Sequence, residues 1–227
     1  ARRRAEFFQK EDPMKIEIDG NAVSELYAMQ NRYSTLPFLD RSELGEGDLL
    51  VVVDMINGFC RKGNLASERC LSVAEPIKET IEKTKLRAVF VCDKHTPDSE
   101  EFKAFPEHCT DHLEINVVDE LIDFAEKPEN VIYKNSTNAF FSFMKNIEID
   151  KRANYVIIVG VCTDICVLQF ALTLKSFFQE LNYPVEVAVL TDLTETYSAD
   201  GHCAELMNLV SLRLLEQNGI RLYRNID

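Results

Sequence analysis

From Asp48 onward, short apolar runs rich in β-branched residues alternate with longer stretches whose apolar positions recur every three or four residues. Leu49–Val53 is continuously apolar, as expected of a strand buried on both faces. Leu86–Cys92, Val131–Tyr133, Tyr155–Val159, Val185–Leu190 and Ile220–Tyr223 are also read as strands. Between them, Val73–Thr84, Val117–Glu126, Asp164–Leu181 and His202–Asn218 have helical spacing, the last closed by Gly219. Six strands alternating with helices predict an α/β fold: a three-layer sandwich with a six-stranded, mostly parallel sheet and helices on both faces. No internal repeat or low-complexity tract interrupts the rhythm.

The 34 residues before this rhythm, 14–47, are more polar. A short strand is expected at Lys15–Ile18 and a helix near Val23–Gln30, forming an N-terminal extension packed on a single main domain at 48–227. Residues 1–13 differ again in character and are read as an expression leader rather than a native basic arm.

Charge narrows the function. With 25 Lys+Arg against 38 Asp+Glu the net charge is −13, which argues against nucleic acid or an anionic membrane as partner. The least charged apolar stretches, such as Tyr155–Val161, are strand-sized and too short to span a bilayer. Seven Cys lack the spacing of a disulfide framework, and no apolar leader resembles a secretory signal, so a reduced, cytoplasmic protein is expected. An important Cys is then a nucleophile or a core residue.

In an open parallel sheet, ligands bind beyond the carboxyl ends of the strands. Asp54 follows the first strand, Asp93 and His95 the second, Lys134 the third and Gly160–Cys166 the fourth. In Gly-Val-Cys-Thr-Asp-Ile-Cys166 a strand turns into a helix, with Thr163 or Asp164 as N-cap, so Cys166 falls in the first helical turn. Backbone N–H groups there favour a thiolate, and Cys162, lying before the helix, gains less. A buried apolar role suits either Cys equally well. Asp54 and Lys134 offer a carboxylate and an ammonium at neighbouring strand ends; position alone also fits a turn residue and a solvated charge. Asp93 and His95, two apart on leaving a strand, can point to one side. Glu101 and His108 on the following loop complete an O/N set suited to Zn²⁺, Fe²⁺ or Mn²⁺. Glu107, Cys109 and His112 lie close by as competing donors.

Together, Val-Val-Asp54-Met-Ile-Asn-Gly-Phe59, Asp93-Lys-His95, Phe105-Pro-Glu-His108, Tyr-Lys134 and Gly-Val-Cys-Thr-Asp-Ile-Cys166 resemble the cysteine hydrolases of the isochorismatase-like superfamily, and within it the nicotinamidases, also called pyrazinamidases. The resemblance runs from about Leu49 to Tyr223. It implies Cys166 as nucleophile, Asp54 as base and later acid, and Lys134 as third member of the triad. It also implies a cis Val161–Cys162 peptide, with the N–H groups of Cys162 and Cys166 as oxyanion hole. Asp93, His95 and His108 match the family's metal ligands and Glu101 a fourth seen in some members. The expected ion is Zn²⁺, with Fe²⁺ or Mn²⁺ as alternatives. Phe59 and Phe105 would flank a pyridine ring; many members carry Trp where Phe105 stands. The aromatic residue usual a few positions after Lys134 is matched only by Phe140 or Phe141.

The implied activity is hydrolysis of nicotinamide to nicotinate and ammonia through a cysteine thioester, a step of NAD salvage, by a homo-oligomer. Relatives with the same triad but no metal ligands cleave isochorismate, N-carbamoyl or ureido substrates, and the Asp93/His95/His108 set favours nicotinamide over these. A non-catalytic binding member and a redox sensor built on the Cys residues are the readings from other classes; the complete triad stands against the first.

Overall fold

The computed structural model describes residues 18–227. The expected leader at 1–13 and all but the last residue of the expected strand at Lys15–Ile18 lie outside them.

Six strands form one sheet: β1 (Leu49–Val53), β2 (Arg87–Asp93), β3 (Val131–Lys134), β4 (Tyr155–Val161), β5 (Glu186–Glu195) and β6 (Arg221–Tyr223). Their order is β3-β2-β1-β4-β5-β6, and every pairing is parallel. The helices are α1 (Gly20–Ser34), α2 (Asn57–Cys60), α3 (Glu68–Leu71), α4 (Ala74–Thr84), α5 (Phe140–Asn146), α6 (Leu168–Glu180) and α7 (Ala204–Gln217). Among the described residues, none is long and apolar enough to cross a membrane.

Alternation along the strands sorts the core into two layers. Leu50, Val52, Phe90, Cys92, Ile157 and Val159 face Ile77 and Ile81 of α4. Val51, Val53, Val89, Val91, Val156 and Ile158 face Phe143 of α5, Phe170 and Leu174 of α6, and Leu212 and Leu215 of α7. Because both faces are covered, the central strands need no polar residues, and this is why they read as unbroken apolar runs. Ahead of β1, α1 lies against α7, with buried Tyr33 and its neighbour Arg32 both bonded to Glu216.

The pattern misjudged three segments. Val117–Glu126 is not a helix: only Ile122–Phe124 makes a turn of 3-10 helix. Val117 bridges Ile56, and the Val118 N–H donates to Met55 O at 3.1 Å, so buried Val117, Val118 and Leu121 pack under the β1–α2 connection. Their spacing mimics a helix while the backbone is spent on tertiary bonds. β5 runs past Leu190 to Glu195, where polar Thr191, Asp192 and Thr194 hid the continuation. The segment after β4 starts as a π-helical turn, Thr163–Val167, with Cys162 at the N-cap position and no side-chain cap; neither Thr163 nor Asp164 is the N-cap.

The order reverses between β1 and β4, the place where a crevice opens in such sheets. Gly160 makes the close approach there possible. It pairs with Val53 and has φ +106°, and a Cβ on it would sit 2.1 Å from Val53 O. Only glycine fits this contact.

Candidate active site and metal centre

Three strand ends and one turn deliver the reactive side chains to this crevice. Asp54 leaves β1 with φ +51°, a left-handed conformation that Asp tolerates better than most residues. Its N–H donates to Val91 O at 2.9 Å, and its Oδ1 accepts from the Asp93 N–H at 2.9 Å, locking the ends of β1 and β2 together. Lys134 ends β3 directly beside Asp93 in register. Its Nζ lies 2.9 Å from Asp54 Oδ2, 3.7 Å from Cys166 Sγ and against Asp93 Oδ1. Oxygens of Asp54 and Asp93 and the sulfur of Cys166 all lie within 4.8 Å of one another. The Val161–Cys162 peptide is cis. Lys134 is thus no solvated charge, nor is Asp54 a surface turn residue: both are buried.

Burial sets the electrostatics. Burial alone favours a neutral Lys134, but the carboxylates of Asp54 and Asp93 outweigh it and hold the ammonium charged. Asp54 is pushed up to about 7, first by burial and then by the charge of Asp93, against the pull of Lys134. For Asp93 burial is overcome by Lys134, with help from His108 and His95, and its carboxyl falls below the usual range. Burial pushes the Cys166 thiol well up, with Lys134 pulling the other way. Burial thus opposes the thiolate, and the Asp54 carboxylate stands close to the sulfur.

Asp93 also faces the other way. Its Oδ2 lies 3.6 Å from His95 Nε2 and 3.8 Å from His108 Nε2; Glu101 Oε1 lies 3.8 and 3.7 Å from the same two nitrogens. These separations are too long for hydrogen bonds. They suit donors around one ion, since ligands at about 2.1 Å in tetrahedral array stand about 3.4 Å apart. Asp93 Oδ2 and His95 Nε2 are buried with no hydrogen-bond partner. Burial and the Asp93 charge push the Glu101 carboxyl up, a repulsion that a cation would relieve. The second nitrogen of each ring is already engaged: His108 Nδ1 donates to Pro106 O at 2.7 Å, and His95 Nδ1 to Asn135 Oδ1 at 2.9 Å. Both Nε2 lone pairs are thereby left to face the centre, the usual outer arrangement of metal-bound imidazoles. The four donors fit a divalent cation. Among the described residues, Glu107, Cys109 and His112 belong to no such cluster.

One cavity joins the two groups. Asp54, Asp93, Glu101, His108, Cys162 and Cys166 line it, and so do Phe59 and Phe105. Phe140 and Phe141 do not reach it: Phe140 packs on Phe177, and Phe141 is 70% exposed. Helix α5 carries both away, and Thr137 stands at that side instead. Leu65, Ile165 and Tyr197 also line the cavity and Phe102 packs edge-on against both His rings, none of them visible to sequence reasoning. Asn135 alone had a signal, in directly following Lys134 at a strand end.

Residues 48–217 match the family model described as Isochorismatase domain. The chain is 28% identical over 213 residues to Nicotinamidase 1 of Arabidopsis thaliana, covering 78% of this chain and 86% of that protein. Among solved structures, the zinc complex of pyrazinamidase from Pyrococcus horikoshii is 23% identical with a TM-score of 0.59, covering 78% and 99% of the two chains. N-carbamoylsarcosine amidase from Thermoplasma acidophilum is 24% identical with a TM-score of 0.59, covering 78% and 95%. These two structures share the fold with this chain.

Proposed function

The chain belongs to the isochorismatase family, and from that premise we propose that it is a metal-dependent cysteine amidase that converts nicotinamide to nicotinate and ammonia. The observation that carries this reading is Asp93, whose Oδ1 holds Lys134 while its Oδ2 faces His95 and His108. The thiol machinery and the four-donor set therefore share one carboxylate and one cavity. The similarity to the Arabidopsis nicotinamidase supports the same substrate.

In the proposed reaction, Asp54 takes the Cys166 proton as Sγ attacks the carboxamide carbon. Lys134, held by two carboxylates, offsets the charge that gathers around the sulfur and Asp54. The N–H groups of Cys162 and Cys166 are assigned to the carbonyl oxygen as it becomes negative. Protonated Asp54 then gives its proton to the leaving nitrogen, the C–N bond breaks, and ammonia departs from a thioester. Asp54 next takes a proton from water, which attacks the thioester; nicotinate leaves and the thiol regains its proton. Phe59 and Phe105 give the pyridine ring apolar walls. Asp93, His95, Glu101 and His108 would hold the divalent cation, for which Zn²⁺ is proposed. When bound, it supplies a Lewis-acid contact for the ring nitrogen, fixing the ring so that the carboxamide faces Cys166.

Ammonia release from nicotinamide, before and after chelation and metal restoration, tests the assignment; activity that survives complete metal removal unchanged would count against it. Selectivity separates orientation from scaffolding. Benzamide carries the same amide on a ring without the nitrogen, so the native enzyme should prefer nicotinamide strongly. His95→Ala should lose bound metal, and the ratio of kcat/KM for nicotinamide over benzamide should fall by about 10² or more, the scale of lost positioning. A structural ion would instead depress both substrates alike and leave the ratio unchanged.

A further inference from the structure

Beside the cavity stands a second polar cluster that neither the thiol machinery nor the four-donor set uses. Asp164 lies two residues before Cys166 in the π-helical turn, and its side chain is 3% exposed. Among the described residues its carboxylate has one hydrogen-bond partner, His202, whose Nε2 lies 2.8 Å from Oδ2; Oδ1 is buried without one. The other ring nitrogen of His202, Nδ1, lies 2.9 Å from Tyr197 O. Both nitrogens thus face acceptors. The His202 ring also lies flat on the Tyr197 ring, with centroids 4.0 Å apart and planes 4° from parallel. Reciprocal backbone bonds of 3.0 Å between Ala199 and His202 close the loop that holds them. Tyr197 in turn forms one wall of the cavity that Cys166 lines.

We infer that His202 is a positioning residue with two separable duties: through Asp164 it fixes the turn that aims Cys166, and through its stack on Tyr197 it fixes a substrate-facing wall. The inference rests on Cys166 being the nucleophile. Without His202, a buried carboxylate loses its one partner two residues from the sulfur, and the turn must shift to hydrate it. Without the ring, Tyr197 loses the plate behind it. The first loss acts on the sulfur and appears in kcat, because displacement of a reacting group by about 1 Å costs about 10² in rate. The second acts on binding and appears in KM.

Two variants divide the duties. His202→Phe keeps an aromatic plate and removes both donors; His202→Gln keeps an N–H donor within reach of Asp164 and removes the ring. The native enzyme and both variants are assayed with nicotinamide, and the rate at which iodoacetamide alkylates Cys166 is followed by mass spectrometry. His202→Phe should lose about 10² in kcat at nearly native KM, with Cys166 alkylation altered by about fivefold or more. His202→Gln should alkylate at close to the native rate and keep kcat within about tenfold, while KM rises. The same change in kcat and KM in both variants, or a native alkylation rate in His202→Phe, overturns the inference. If a His202 variant does not fold, Asp164→Ala against Asp164→Asn makes the same test, since only Asn keeps an acceptor for His202; the Asn protein should alkylate like native and the Ala protein should not. Hydrolysis surviving in Cys166→Ala would instead remove the premise. Failure of native enzyme to cleave nicotinamide would leave the alkylation comparison to decide.

Discussion

Replacing Cys166 with Ala is expected to abolish amide hydrolysis, lowering kcat by at least about 10⁴-fold, the scale on which removal of a covalent nucleophile disables a concerted set of groups. The fold should persist, because an Ala in the π-helical turn keeps the backbone and loses one sulfur from a well-packed layer. Cys162→Ala is the matched control. Its side chain packs in the opposite apolar cluster with Cys60 and Cys70, and its proposed role belongs to the backbone N–H. Losing that sulfur costs about 1 kcal/mol of packing, which is at most about tenfold in rate even if all of it reached the transition state. Kinetics of the two purified variants, with thermal melts to verify folding, check the assignment; equal losses would contradict it.

The second large effect concerns Lys134. Its ammonium is buried between Asp54 and Asp93, so Lys134→Met leaves two carboxylates facing each other with no cation. Breaking a buried pair this way costs about 3–5 kcal/mol, and a melting temperature lower by roughly 6–20 °C is expected for a chain of this size. Turnover should fall by more than about 10², the usual loss for a positioned electrostatic group. Asp54→Asn alone should lose at least as much activity, since an amide cannot take the thiol proton. The double variant Asp54→Asn/Lys134→Met is the informative one. It removes one of the facing charges, so stability should recover in part while activity does not, a non-additivity that contacting residues show and distant ones do not. Additive losses in stability would mean that the ion pair is not the unit described. Near-native turnover in Lys134→Met would return Lys134 to the role of a bystander.

The sheet was legible because burial on both faces leaves β1, β4 and Ala88–Cys92 of β2 as unbroken apolar runs, and little else produces such runs at this length. Where apolar spacing served a tertiary contact, as at Val117, Val118 and Leu121, the same signal misled. The strand-end rule brought Asp54, Asp93, His95 and Lys134 together correctly, since each directly follows or ends a parallel strand whose neighbours are fixed by topology. The rule could not show that one carboxylate, Asp93, serves both Lys134 and the His pair, because that depends on which oxygen faces which neighbour. Nor could it find Tyr197 or His202: both lie between β5 and α7, and the helical spacing that was read back to His202 says nothing of what its ring touches. The place of His202 is set by its contact with Asp164, 38 residues away in the chain, and that of Tyr197 by its stack on His202. The distance between Phe140 and the cavity likewise follows from the path of α5, which residue type alone does not encode.

The claim on which the rest depends is a nicotinoyl thioester on Cys166, and product partitioning in hydroxylamine tests it most directly. Water and hydroxylamine would compete for the same acyl group after ammonia has left. Metal-loaded native enzyme turning over nicotinamide should therefore give both nicotinate and nicotinohydroxamate, with one ammonia for each acyl product and none of either from Cys166→Ala. Nicotinate as the sole acyl product at every hydroxylamine concentration, or hydroxamate formed equally well by Cys166→Ala, would contradict the account.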